Sequence, residues 1–357
     1  MSNEVELKLA VEPNFINFLH QKITGFRLLG NEKQFLSNCY YDTPEHLLAK
    51  QKMGLRVRQQ NGQYTLTLKT DGEVKGGLHI RPEYNITLPN AEPDLALLVK
   101  KCGVDVENLA QFKLQPIFST DFERQSWLIE CGAHTVIEIA FDLGQIKAND
   151  KQVPISEVEF ELKSGNISDL LDFVAGLELE GNVRLSGASK AKRGYALAYA
   201  QQPVEVTHWL EKWREFLQVE QNTHNPIDKL SALFQLEQAL IDETFAIESS
   251  YFNVDFLRTV ERIGVFFNLY HYYIDQTALL ETIFNQKQSK CLSEVNANVL
   301  VDLLESNNEL FVQIREIIRF HSETKNNQIA LEKLKQVLQT GQYVKRMINL
   351  ISLTLEH

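Results

Sequence analysis

The chain has 357 residues, 44% hydrophobic and 23% charged, with a formal net charge of -11. This is ordinary globular composition with room for two cores, and the acidic balance speaks against non-specific binding to nucleic acid or an anionic membrane. No apolar run approaches the ~20 residues of a membrane span, "MSNEVELK" leads into no apolar signal segment, and Cys39, Cys102, Cys131 and Cys291 are too scattered for a zinc knuckle or disulfide framework, so a cytoplasmic protein with no membrane association and no nucleic-acid partner is expected.

The first element is a strand over 3 to 10 containing "EVELKL", in which Glu4, Glu6 and Lys8 share one face and Val5, Leu7 and Leu9 the other. A helix follows at 12 to 24, then strands at 35 to 42, 53 to 60, 63 to 70 and 77 to 88. Next come a helix at 92 to 101, strands at 115 to 128, 134 to 142 and 156 to 164, and a helix at 167 to 176. "QNGQ", "DGEVKGG", "CGAH" and "KANDKQ" supply the turns. Eight antiparallel strands are enough to close a barrel and remove its edges. After "LAYAQQPVEV" the period becomes helical, and glycine nearly vanishes, leaving Gly264 and Gly341. The expected fold is therefore α+β, with an antiparallel barrel domain over 1 to 202 and an all-α bundle over 203 to 357.

The other strands repeat the pattern of the first. "EVEFELKSG" sets Glu157, Glu159, Glu161 and Lys163 against Val158, Phe160 and Leu162; "GLRVRQQ" aligns Arg56 with Arg58; "YTLTLK" aligns Thr65, Thr67 and Lys69. "HIRPEYN" aligns Arg81 with Glu83, "FERQSW" adds Arg124, and "VIEIAFDLG" aligns Glu138, Ala140 and Asp142. One such strand reads as half-buried with a solvated charged face. Around a closed barrel, about seven cations and about six carboxylates cannot line a dry core, because each unpaired buried ion costs several kcal/mol. They suit a wet tunnel for a polyanion and divalent metal, with arginine forks and lysine charges on phosphate oxygens and carboxylates on Mg2+ or Mn2+.

With these residues in this order, residues 1 to 200 resemble the CYTH family, the triphosphate tunnel metalloenzymes, whose hallmark is an N-terminal ExExK strand, here Glu4, Glu6 and Lys8. "YYDTP" at 40 to 44, "LRVR" at 55 to 58, "TLTLK" at 65 to 69, "RPEY" at 81 to 84, "EVEFELKSG" at 157 to 165 and "SKAKRGY" at 189 to 195 carry the same resemblance. It implies an eight-stranded tunnel that hydrolyses or cyclises triphosphates. It also implies Glu4, Glu6, Asp142, Glu159 and Glu161 as ligands of two Mg2+ or Mn2+ ions. The triphosphate-binding cations carried over are Lys8, Arg56, Arg58, Lys69, Arg124 and Lys190, with Arg81, Lys163, Arg184 and Arg193 as further ones. Lys8 with Tyr40 would act as the base that prepares the attacking water; Tyr40 equally reads as a wall residue.

The second half resembles a degenerate CHAD domain, a helical partner associated with polyphosphate. "FLRTVERIGVFFNLY" at 256 to 270 keeps Arg258 and Arg262, but Asp255 stands where a histidine is expected and Glu261 replaces an arginine, which removes part of the polyanion grip. The combination resembles bacterial inorganic triphosphatases, acting on a small-molecule triphosphate; it names no protein partner for the helical half. Adenylate cyclase, thiamine triphosphatase and RNA 5′-triphosphatase remain readings within the same fold, and a polyphosphate-binding protein without turnover is the reading from another class. The full set of metal acids points away from the last, since binding alone needs mainly cations.

Overall fold

The computed structural model describes residues 2–104, 108–132, 134–199, 207–246, 255–289 and 298–355; Cys291 and the expected boundary at 202 lie outside them. Contacts divide the chain into two compact units, Met1–Leu170 with Ser186–Pro203, and Leu171–Leu185 with Val204–His357.

The first unit is a closed antiparallel barrel. Its strands are β1 (Ser2–Val11), β2 (Arg27–Asp42), β3 (Gly54–Gln60), β4 (Gln63–Lys69), β6 (Leu78–Leu88), β7 (Gln115–Cys131), β8 (Thr135–Ala148) and β9 (Lys151–Ser164), with a short β5 (Glu73–Lys75) paired on β6. Around the barrel the order is β1-β9-β8-β7-β2-β3-β4-β6, and β6 returns to β1. The eight expected strands are all present, and β2, β8 and β9 run furthest beyond what their periodicity shows. β2 starts eight residues earlier than expected, at Arg27, because its first part is largely exposed and has no alternating burial to read. The β8–β9 hairpin runs on to Ala148 opposite Lys151, so most of "KANDKQ" is strand and the turn sits at Asn149, whose φ of 52° asparagine tolerates.

On β3, β4 and β6 the outward face is also out of water. The outward faces of β3, β4 and β6, with Leu55, Val57, Leu66, Leu68 and Ile86, pack under α2 (Leu47–Lys50) and α3 (Leu95–Cys102) in one apolar cluster. This outer packing turns the charged faces inward. Asp42 of "YYDTP" is fully buried and ties the chain into α2: its carboxylate accepts from the backbone N–H groups of Thr43 (2.7 Å), Leu48 (2.9 Å) and Ala49 (3.0 Å). α1 (Phe15–Ile23) and α4 (Ile167–Ala175) fall close to expectation. "SKAKRGY" forms α5 (Lys190–Ala198), capped by Ser189, whose hydroxyl accepts from Lys192 N–H.

The second unit holds a short strand β10 (Val183–Leu185) and the helices α6 (Trp209–Asn222), α7 (Pro226–Ala246), α8 (Phe256–Asp275), α9 (Thr277–Ser289), α10 (Val299–Thr324), α11 (Asn327–Leu338) and α12 (Gly341–Thr354). Leu233, Phe234, Phe266, Leu269, Ile314 and Leu350 are among its buried side chains. Asp255, the residue in the histidine position of the resemblance, serves as the N-cap of α8 and accepts from Arg258 N–H. No described helix is long and apolar enough to cross a membrane.

Candidate active site

Register brings the charged faces together. Lys8 lies beside Glu159 and Glu6 beside Glu161 across β1 and β9. Glu157 lies beside Asp142 across β9 and β8, and Asp142 beside Arg124 across β8 and β7. Around the other side, Glu4 is beside Arg81, Glu6 beside His79, and Lys69 beside Glu83. β2 and β3 set Tyr40 beside Arg56 and Asn38 beside Arg58.

The most deeply buried group joins β1, β7, β8, β9 and α5. Asp142 is gripped by a two-point fork from Arg124, Nε to Oδ1 and Nη2 to Oδ2 at 2.7 Å each, and the same Nη2 reaches Glu159 at 2.5 Å. Lys190 Nζ donates to Asp142 (2.6 Å), Glu157 (2.5 Å) and Glu159 (3.0 Å). Lys8 Nζ donates to Glu157 (3.2 Å) and to Glu159 and lies 3.8 Å from Glu6; Arg193 reaches Glu157 at 3.2 Å. Burial opposes these charges, but Glu157 and Glu159 carry the Lys8 ammonium well above its ordinary value, and Asp142, Glu157 and Glu159 raise Lys190. Conversely, Lys190, Lys8 and Arg124 hold Glu159 well below the carboxylate range despite its burial.

Asp142, Glu157 and Glu159 each offer an oxygen within 4.8 Å of the others. A tight set of hard carboxylate oxygens fits a divalent cation such as Mg2+ or Mn2+. Glu157 is the residue that sequence reasoning left off the ligand set. Its alternation was visible, but three glutamates in one run cannot be ranked without knowing that Asp142 is the neighbour of the first.

A second group lies along β1, β4 and β6. Lys69 bridges Glu4 and Glu83, at 3.2 Å from the latter, and Arg81 donates to Glu6 at 3.2 Å. Burial, with Glu6 and Glu83 nearby, pushes the Glu4 carboxyl up to about 7 in spite of Lys69. Burial would do the same to Glu6, but Lys8 and Lys69 hold it down to about 2. His79 shares this face; burial brings its imidazole down to about 4, so it is neutral at pH 7. Glu161 pairs instead with Lys163 (2.8 Å), which also reaches Glu138 (2.7 Å), and these side chains are 22 to 36% exposed, away from the dry centre.

Arg56 and Arg58 differ from the rest. Arg58 Nε donates to Asn38 Oδ1 (2.8 Å), and Asn38 donates on to Thr120 Oγ1 (3.0 Å). Tyr40 stacks on Phe118 at 4.3 Å, and Tyr40 and Glu83 support the Arg56 charge against burial. Among the described residues neither guanidinium forms a salt bridge, whereas Lys8, Lys69, Arg81, Arg124, Lys163, Lys190 and Arg193 all do. Burial and repulsion from Arg56 and Arg124 bring Arg58 down to about 9.

Two sequence expectations sit differently here. Arg184 belongs to the second unit, where its guanidinium lies 4.6 Å from the Phe245 ring centroid. Lys8 and Tyr40 have different neighbours: Lys8 is an ammonium among carboxylates, and Tyr40 is wedged against Phe118 beside Arg56. The carboxylates around Lys8 favour its protonated form.

The CYTH domain matches residues 2–195 of the chain. A curated Haemophilus influenzae protein called inorganic triphosphatase is 48% identical over an alignment of 358 positions that covers 99% of this chain and 98% of that one. Among solved structures, a Hippeastrum protein described as a putative adenylyl cyclase with a dominant triphosphatase activity aligns at TM-score 0.38 and 18% identity, over 57% of this chain and 100% of that chain. A putative adenylate cyclase from Bacillus halodurans aligns at TM-score 0.35 and 20% identity, over 54% of this chain and 98% of that one.

Proposed function

The chain belongs to the CYTH domain family, and on that premise we propose that it is an inorganic triphosphatase, a hydrolase that splits triphosphate into pyrophosphate and phosphate within the barrel. The observation that carries this reading is the pair Arg56 and Arg58, interior guanidiniums that form no salt bridge among the described residues, set opposite a cluster of acids that fits a divalent cation. An anion that brings its own charge completes the arginines, and a triphosphate offers several phosphate groups to share between the arginines and the metal.

In this reading Arg56 and Arg58 grip non-bridging phosphate oxygens as forks. Asn38 fixes the Arg58 plane, and Tyr40 flanks Arg56. Lys69, Arg81 and Arg124 supply further charge along the chain of phosphates, with Lys163 and Arg193 toward the more exposed positions. Asp142, Glu157 and Glu159 would hold Mg2+ or Mn2+, and Glu4, Glu6 and Glu161 a second such ion. When bound, the metal supplies positive charge at the phosphoryl oxygens. Water attacks the terminal phosphorus, the bridging P–O bond breaks with its electron pair going to the leaving pyrophosphate, and the protons of the attacking water remain on the phosphate products. Lys8 stabilises the charge that develops, as a buried ammonium held in place by Glu157 and Glu159.

We assign the activity to residues 1 to 202, working in the cytoplasm on a small soluble anion, and a packing or interaction role to 203 to 357. Both arginines kept from the CHAD pattern are engaged internally: Arg258 with Glu261 (3.0 Å), and Arg262 with Glu243 and Thr244. The deciding experiment measures phosphate release with Mg2+ or Mn2+ from triphosphate, ATP, thiamine triphosphate, pyrophosphate and long-chain polyphosphate. Triphosphate should be turned over with the highest kcat/KM; a preference for ATP with cyclic product would replace the reading.

A further inference from the structure

Lys190 occupies the point at which the metal site converges. Its Nζ lies 2.6 Å from Asp142, 2.5 Å from Glu157 and 3.0 Å from Glu159, the three acids whose oxygens fall within 4.8 Å of one another. An ammonium and a divalent ion cannot share that point, because like charges repel strongly where solvent is excluded. The local balance says the same: the three carboxylates already face Lys8, Arg124, Lys190 and Arg193, so a metal finds no uncompensated charge unless a cation leaves.

The four cations are not equally placed: Arg193 pairs with Glu157 alone of the three acids, so its departure would not free the point the metal needs. Lys8 and Arg124 stand on barrel strands in register with the acids they serve, and Arg124 is fixed by its two-point fork on Asp142. Lys190 comes from the first turn of α5, a nine-residue helix whose Ser189 cap bonds Lys192 N–H and does not involve the Lys190 side chain. It ends a flexible four-carbon stem that passes near Phe122, with Nζ 4.9 Å from the ring centroid. Its ammonium can swing away without moving a strand.

Resting on the triphosphatase reading above, we infer that Lys190 and the metal exchange: the metal takes Asp142, Glu157 and Glu159, and the released Lys190 ammonium passes to a phosphate oxygen of the substrate. Lys190 then counts against metal binding alone and for metal binding with triphosphate. The two ligands are coupled through this one residue, and the coupling is reciprocal.

The test is calorimetric titration of Mn2+ into the full-length protein, with and without a non-hydrolysable imido-bridged triphosphate, for wild type, Lys190→Met and Lys190→Gln, with Asp142→Asn as the site control. Removing the ammonium should tighten binding of Mn2+ alone by about tenfold and shrink the tightening that the analogue produces in wild type, an effect of the size usual for coupled sites. Unchanged or weaker Mn2+ binding in both lysine variants would overturn the exchange. An Asp142→Asn protein that binds as many Mn2+ ions as wild type, with the same affinities, would instead place the metal away from these acids and overturn the metal assignment with it. In wild type itself, the ammonium NMR resonance missing from Lys190→Met should shift on addition of Mg2+; a resonance that does not move is a second result against the exchange.

Discussion

The buried pair Glu237–Arg346 in the helical unit and the charges in the barrel show two ways of burying ions. Arg346 donates to Glu237 at 2.6 Å with both side chains at most 1% exposed, and Tyr343 and Tyr273 donate to the same carboxylate at 2.6 and 2.8 Å. The guanidinium also lies 4.7 Å from the Tyr273 ring centroid and donates through Nε to Asn307 at 3.1 Å. One cation faces one anion, closed in by aromatic rings. In the barrel, Lys190 and Lys8 each form salt bridges to three carboxylates, while among the described residues Arg56 and Arg58 form none. A closed pair has one arrangement and serves the fold. A shared, uneven set has several arrangements, and it can trade partners with ions that arrive from solution.

Breaking the closed pair should have the largest effect, and on stability. Glu237→Ala leaves a buried guanidinium without its carboxylate and should cost about 3–5 kcal/mol, read from chemical denaturation. Replacing both partners, Glu237→Leu with Arg346→Met, should recover most of that loss, and failure to recover would mean that the pair is not the closed unit described. The equivalent change in the barrel should spare the fold and remove activity: Asp142→Asn should lower kcat by at least about 10²-fold, as expected for a lost electrostatic stabiliser, with an unchanged circular dichroism spectrum. Glu159→Gln should do the same, and Glu161→Gln, whose residue sits at the more exposed Lys163 pair, should cost less. Near-wild-type turnover in Asp142→Asn would remove the acid cluster from the mechanism.

A smaller effect is expected at the unpaired arginines. Arg56→Ala should raise KM for triphosphate by about tenfold with a lesser loss in kcat, because a phosphate grip acts in ground and transition states alike. It should not lower Tm, since no salt bridge is lost; a KM that does not move would place Arg56 outside the substrate path. The mildest effect is that of pH. Glu4 carries a pKa raised to about 7, so it gains a proton and loses its charge as pH falls through that value. Turnover limited by Glu4 should therefore rise with pH through about 7, and Glu4→Gln should flatten that limb. For stability the sign is reversed. Folding disfavours the charged form of a carboxyl whose pKa it raises, so the contribution of Glu4 is fully present below its ordinary value of 4.5 and fades as pH climbs through about 7.

Much of the barrel was legible because alternation is local. Each strand shows in its own sequence that Glu4, Glu6 and Lys8, or Arg56 and Arg58, share a face, whatever the strand packs on. β2 escaped in its first half because exposed positions such as Leu28 and Leu29 follow no burial rhythm. The helical unit was legible as helices from its period, but Glu237 and Arg346 are more than one hundred residues apart and nothing near either one marks a buried pair.

The sequence by itself determined the inventory: the number of barrel strands, the charged face of each, and the change to helix in the second half, because backbone geometry assigns faces residue by residue. Only the tertiary structure decided the partners. Register set Glu157 beside Asp142, closure brought β6 back to β1, and α5 delivered Lys190 onto three acids from three positions in the chain. Partnership between ions depends on distances of a few ångströms between segments far apart in sequence, and those distances exist only once the barrel has closed.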